Sequence, residues 1–175
     1  MIPGSIPGLQ TTGRRLPLLA GAASLLIAPF LFVGGPDWAS GPLLKSAWNL
    51  GHILLFALLT LAVRPWQWLS GWRLWLAVTV VLLVLGIGIE LLQGGHNRDM
   101  DGRDLLRNLI GSWLVIAWRP LLTSERRNSL GEGLLAASVA LLLCFELGAT
   151  GMVAARQWQV HEQLPLLYDF THQDP

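Results

Sequence analysis

The chain alternates long apolar runs with short polar breaks rich in glycine and proline. Five runs stand out: Leu16–Val33, Ala47–Val63, Leu74–Gln93, Leu105–Leu122 and Leu134–Ala155. At 1.5 Å per helical residue, each is long enough to cross a hydrocarbon core about 30 Å thick. A helix satisfies its own backbone hydrogen bonds in lipid, where water is absent. A β-barrel would need apolar and polar positions to alternate, and a run such as VTVVLLVLGIGI does not alternate. The pattern therefore predicts an all-α fold, a five-helix transmembrane bundle. The breaks are Gly34-Gly35-Pro36, Arg64-Pro65, Gly94-Gly95, Arg119-Pro120 and Gly131–Gly133. Beside them stand Trp38, Trp48, Trp66, Trp68, Trp72, Trp75, Trp118 and Trp158, placed as an aromatic belt at both faces. Trp113 lies nearer mid-helix and is expected to pack inside the bundle.

Composition narrows the class. Of 175 residues, 53% are apolar and 13% charged, whereas soluble domains carry about 25% charged residues. So few charges cannot cover a soluble enzyme, and they exclude a disordered tail. A net charge of +1 gives no footprint for nucleic acid. The single cysteine, Cys144, rules out an internal disulfide or a cysteine-rich zinc site. It reads as a small buried hydrophobe. The first apolar run exceeds a signal-peptide h-region and no A-x-A-like site follows it, so a retained first helix is expected.

Lysine and arginine set the orientation. With the N-terminus inside, the inner segments hold seven: Arg14, Arg15, Arg64, Arg73, Arg119, Arg126 and Arg127. The outer side holds five: Lys45, Arg98, Arg103, Arg107 and Arg156. The expected organisation is a disordered N-terminus over 1–13, a five-helix membrane domain over 14–156, and a short polar extracytoplasmic tail over 157–175 that can meet a protein partner.

Ionisable groups near membrane depth are expensive, so their placement is informative. The second helix opens with Lys45, Asn49 and His52 on one face, at i, i+4, i+7. The third ends with Glu90 and Gln93, at i, i+3. The loop GGHNRDMDGRD follows, and the fourth helix opens with Asp104, Asn108 and Gly111. In an up-and-down bundle these polar faces share one end of the molecule, the outer one. Glu90, His52 and Asp104 are the candidate acid/base groups. Arg98 and Arg103 are suited to phosphate or carboxylate. Asn108, Gln93, Lys45 and Asn49 complete the binding set, and Asp101 with Asp104 offers oxygens to a divalent cation. Gly111 and the Ala47/Gly51 pair are expected to let helices approach closely. The bland alternative is a buried polar network that orders three helices without binding anything.

The run Glu90-x-x-Gln93-x4-Arg98-x5-Asp104-x3-Asn108-x2-Gly111, with Lys45 and His52 upstream, resembles the signature of the VanZ-like family of small polytopic membrane proteins. The resemblance covers about residues 40–120. The chain departs from the pattern in having no acidic residue before Lys45. The family is named for a protein linked to resistance to teicoplanin, a lipidated glycopeptide antibiotic. The resemblance implies a polytopic fold in a bacterial inner membrane and a cell-envelope context more firmly than it implies a reaction.

Three functions follow as expectations. The first is an outward-facing polar site that binds or modifies a membrane lipid, lipid-linked precursor or other amphiphilic envelope molecule. The second is a non-enzymatic module that recruits envelope machinery; Ser46 and Ser112 have no evident base partner. The third is a small transporter with Glu146 as an intramembrane charge, disfavoured by the absence of an inverted repeat.

Overall fold

A computed structural model describes residues 8–33, 41–93, 102–122 and 130–163, with side chains described over 15–30, 41–88, 102–122 and 130–162. The described residues are helical throughout apart from short connections, and contain no strand. Five α-helices follow one another: α1 (Gly8–Val33), α2 (Pro42–Val63), α3 (Gly71–Gln93), α4 (Gly102–Leu122) and α5 (Leu130–Gln163). A short 3-10 turn, Pro65–Gln67, joins α2 to α3. All five helices are longer than the apolar runs that predict them. α1 starts at Gly8, within the segment expected to be disordered, and α5 continues through Gln163, into the expected tail. Helical hydrogen bonding propagates past the last apolar residue where nothing breaks it.

The breaks act unequally. At Arg64-Pro65 the helix stops: Arg64 turns left-handed (φ 55°, ψ 56°) and its N–H closes on Thr60 O at 3.0 Å. The next residue, Pro65, cannot continue the helical ladder. Pro120 instead lies inside the last turn of α4, and Gly131 and Gly133 inside the first turns of α5. Gly34–Pro36 and Gly94-Gly95 lie outside the described residues.

Three helical stretches are long and apolar enough to cross a membrane: Pro42–Gln67, Gly71–Gly88 and Leu130–Glu162. α1 holds a shorter apolar stretch, Arg15–Phe30. The outer surface is apolar, with Leu18, Leu25, Val84, Leu141 and Phe145 all more than 60% exposed. In water this coat would be untenable; in hydrocarbon it is the expected exterior.

α4 is the inner helix, packed against α2, α3 and α5. It buries Arg107, Asn108, Ile110, Ser112, Ile116 and Ala117 along its length. It also carries Arg103, Asp104, Arg107 and Arg119. A helix so charged needs neighbours around it to be shielded from lipid. Contacts fix the directions. α2 and α4 run parallel, because His52 meets Asn108 and Thr60 meets Ser112. α3 runs antiparallel to α4, with Gly86 beside Leu105 and Thr79 beside Trp113. α5 is also antiparallel to α4: Glu146 meets Arg107, while Ala136 packs with Ala117.

Gly111 permits the close α2–α4 contact. A Cβ there would strike the Ile53 carbonyl oxygen, and would come within 3.0 Å of Ile53 C and 3.1 Å of Ala57 N. Ser112 adds polar closure. Its Oγ lies 2.8 Å from Thr60 Oγ1, and both hydroxyls share the Phe56 carbonyl, at 3.3 Å and 2.7 Å. Small residues with hydroxyl pairs are how helices associate in lipid. Of the expected Ala47/Gly51 pair, Ala47 faces outward. Trp113 packs inside as expected, its Nε1–H donating to Thr79 Oγ1 at 3.0 Å. Cys144 corrects the expectation of burial: it is exposed on α5. α5 is apolar nearly all round, so hydrophobicity alone does not separate its lipid face from its packed face.

Candidate polar site between α2, α4 and α5

The site starts from three positions on the first two turns of α4. Asp104, Arg107 and Asn108 lie at i, i+3 and i+4, so they share a face. That face turns toward α2 on one side and α5 on the other. Arg107 Nη1–H donates to Asp104 Oδ1 at 2.7 Å, and Nε–H donates to Glu146 Oε2 of α5 at 2.8 Å. The guanidinium thus bridges two carboxylates from its two edges. Both distances are those of charge-assisted bonds. Arg107 and Glu146 are buried, at 8% and 5% exposure. Burying an unpaired charge costs several kcal/mol, and the double pairing offsets part of that cost.

The other side of Asp104 is open. Its Oδ2 stands 3.8 Å from His52 Nε2, beyond hydrogen-bond reach but close enough for attraction to an imidazolium. His52 Nδ1–H donates to Asn108 Oδ1 at 3.1 Å. The His52 and Asp104 side chains keep 17% and 24% of their surface exposed, against 9% and 7% for Arg107 and Glu146. The network is therefore sealed at Arg107–Glu146 and accessible at His52–Asp104. With both carboxylates ionised, the trio of Asp104, Arg107 and Glu146 carries one negative charge in excess.

α5 holds the first half of α2 against this site. Ser46 and Thr150 share a hydrogen bond at 2.9 Å. The Gln157 side chain accepts from Leu43 N–H at 3.2 Å, filling one of the open donors at the start of α2. Trp48, one turn before His52, packs edge-on to Phe30 of α1, and its Nε1–H has no acceptor among the described residues.

The structure brings together His52, Asp104 and Asn108 from the expected set. Asn49 is half-buried on α2 and Lys45 is exposed on the same helix, nearer its start. Arg103 is exposed in the first turn of α4. Glu90 and Gln93 belong to the last turns of α3, beyond Gly86, where that helix passes the start of α4. Their side chains lie outside the described residues, as do Arg98 and Asp101 altogether. Among the described residues no three His, Cys, Asp or Glu side chains are grouped to hold a metal.

The contribution of α5 is what the three-helix reading lacks. Arg107 is held by Asp104 of its own helix and by Glu146 of α5. The available signal was Glu146 itself, an acid inside the apolar run ALLLCFELG, which demands a cation from a neighbouring helix. No protein-family model matches the sequence, and no solved structure matches this fold.

Proposed function

We propose that the chain is a five-span integral membrane protein of the VanZ-like kind, N-terminus inside, whose outward-facing polar site binds the head of a lipid-linked or amphiphilic cell-envelope molecule. The observation that carries this reading is the gradient across the site. A buried, paired Arg107–Glu146 foundation, with Asn108 buried beside it, supports an open His52–Asp104 end. A purely structural network gains nothing from leaving its outer members accessible. The parallel course of α2 and α4 supports a shared end for their polar residues, and the excess of arginine on the other loops supports placing that end outside. The open end presents an acidic oxygen and an imidazole that Asn108 holds from below, which suit a head group rich in hydrogen-bond donors.

Binding fits better than nucleophilic chemistry. The hydroxyls of Ser46 and Ser112 are engaged with Thr150, Thr60 and the Phe56 carbonyl, and Cys144 lies on the outer face of α5. The recruiting-module reading draws on one feature, the extension of α5 through Gln163, which presents Arg156, Trp158 and His161 at the surface.

The test is teicoplanin susceptibility of a Gram-positive host making the full chain. Production of the wild type raises the inhibitory concentration. His52→Ala and Asn108→Ala, which leave the Arg107–Glu146 pair intact, return it to the host value while membrane levels stay equal. Unchanged resistance in both variants, at equal levels, removes the site from the function.

A further inference from the structure

Resting on that reading of the site, we infer that the head it takes is a protonated primary amine, as on phosphatidylethanolamine, whose N–H groups bridge Asp104 and His52. The hydrogen bonds already made decide which atoms are left for a ligand. Asp104 Oδ1 accepts from Arg107, and Arg107 turns its other edge to Glu146. Asp104 Oδ2 has no hydrogen bond among the described residues, and His52 Nε2 stands 3.8 Å from it. His52 donates from Nδ1 to Asn108 Oδ1. A neutral imidazole carries one N–H, so with Nδ1 donating, Nε2 is an acceptor. Two acceptors therefore face one another across a gap, on side chains that both remain partly exposed. A donor nitrogen about 2.9 Å from each atom spans that gap.

The arrangement selects its ligand in two ways. Both acceptors lie around one point, so the ligand needs two donors on a single atom. Asp104, Arg107 and Glu146 together leave one negative charge, so the ligand is a cation. A primary ammonium meets both demands, with three N–H donors and a full charge. A choline head has the charge and no donor. A water molecule has two donors and no charge, so it fills the gap without neutralising it. A phosphate or carboxylate meets only acceptors. Lys45 lies on the same face of α2, two turns before His52 and about 10 Å nearer the helix start, and is exposed. It offers a counter-charge to the phosphate that an aminophospholipid carries beside its ammonium.

Lipid retention by the full chain in detergent tests the assignment. Phosphatidylethanolamine, its N-methyl and N,N-dimethyl derivatives, phosphatidylcholine and phosphatidylglycerol of equal chain length are added together in equal amounts, in an amine-free buffer. Lipid that stays with the purified protein is extracted and measured by mass spectrometry. The first four heads keep the positive charge and carry three, two, one and no N–H donors. Phosphatidylethanolamine and its N-methyl derivative are expected to be retained alike. The dimethyl derivative falls about tenfold below them and phosphatidylcholine about tenfold again, one step for each charge-assisted hydrogen bond lost. Phosphatidylglycerol, with two hydroxyls and no cation, stays at the choline level. His52→Asn keeps a donor for Asn108 and removes the Nε2 acceptor, so one N–H suffices and the dimethyl derivative rises level with the first two. Equal retention of all five lipids overturns the inference. An even fall with each added methyl, which marks crowding, overturns it too, as does an unshifted order in His52→Asn. If that variant does not fold, Asp104→Asn decides: the preference over phosphatidylglycerol is expected to vanish, and its survival overturns the inference. His52→Ala separates this failure from failure of the outward site itself. Heads retained equally by the wild type and all lowered in His52→Ala sink the amine assignment alone; retention unchanged for every head in His52→Ala sinks both.

Discussion

At the scale of single residues, the bundle depends on a few contacts between groups that lipid does not tolerate alone. Arg107 is the first. Its two carboxylate partners come from different helices, so removing one leaves a partly uncompensated charge among apolar side chains. Glu146→Ala is expected to destabilise the fold by about 3–5 kcal/mol, read by denaturant titration in detergent micelles. The double variant Arg107→Met/Glu146→Leu removes both charges and lies closer to wild type than Glu146→Ala does. A double variant worse than the single one would show that the pair contributes more than mutual neutralisation. Gly111 is the second. Any side chain there meets the α2 backbone, which cannot yield as a flexible side chain can. Gly111→Ala is expected to cost about 1–3 kcal/mol through overpacking, read as a lower thermal midpoint. Gly86→Ala is the internal comparison. The added carbon meets Leu105 Cδ1, at 2.5 Å, which is the mobile end of a side chain, so the cost is smaller.

At the scale of elements, the five helices were legible because long apolar runs without alternation admit little else, although three of the described stretches, in α2, α3 and α5, are long and apolar enough to cross a membrane. Their ends were not. Glycines at 131 and 133 read as a break, yet a helix tolerates them when its neighbours hold it in place, at about 1 kcal/mol each relative to alanine. Half of the candidate site was legible as well. The i, i+4 spacing puts Asp104 and Asn108 on one face, and the up-and-down order puts that face level with His52. The rest depends on which helices are neighbours, and periodicity does not encode adjacency. The sequence does not say which helix supplies a partner to Arg107, and the packing of α5 against α4 brings Glu146 to it. The same holds for Cys144, whose exposure follows from which side of α5 meets lipid. Gln157 shows how far such contacts extend, since its amide reaches the first turn of α2 from beyond the apolar run of α5. Gln157→Ala is expected to cost about 1 kcal/mol and to speed amide hydrogen exchange at Leu43 without changing exchange in the middle of α4. Unchanged exchange at Leu43 would mean that α5 does not hold that turn.

At the scale of the molecule, polarity is arranged inside out relative to a soluble protein. Leucine, valine and phenylalanine face outward from α1, α3 and α5, and the charged helix α4 lies within. A lipid solvent explains both halves: apolar side chains lose nothing at the surface, and ionised groups survive only where other helices surround them. The central claim is that α2 and α4 bring His52 and Asp104 together at an accessible, outward end of this arrangement. It is tested most directly by one cross-linking measurement. Cys144 is replaced by alanine, His52 and Asp104 are changed to cysteine, and intact cells are treated with a short, membrane-impermeant bis-thiol reagent. Mass spectrometry of the purified chain is predicted to show one reagent molecule bridging both thiols. No bridge even after the membrane is permeabilised, or a bridge formed only then, would contradict the account.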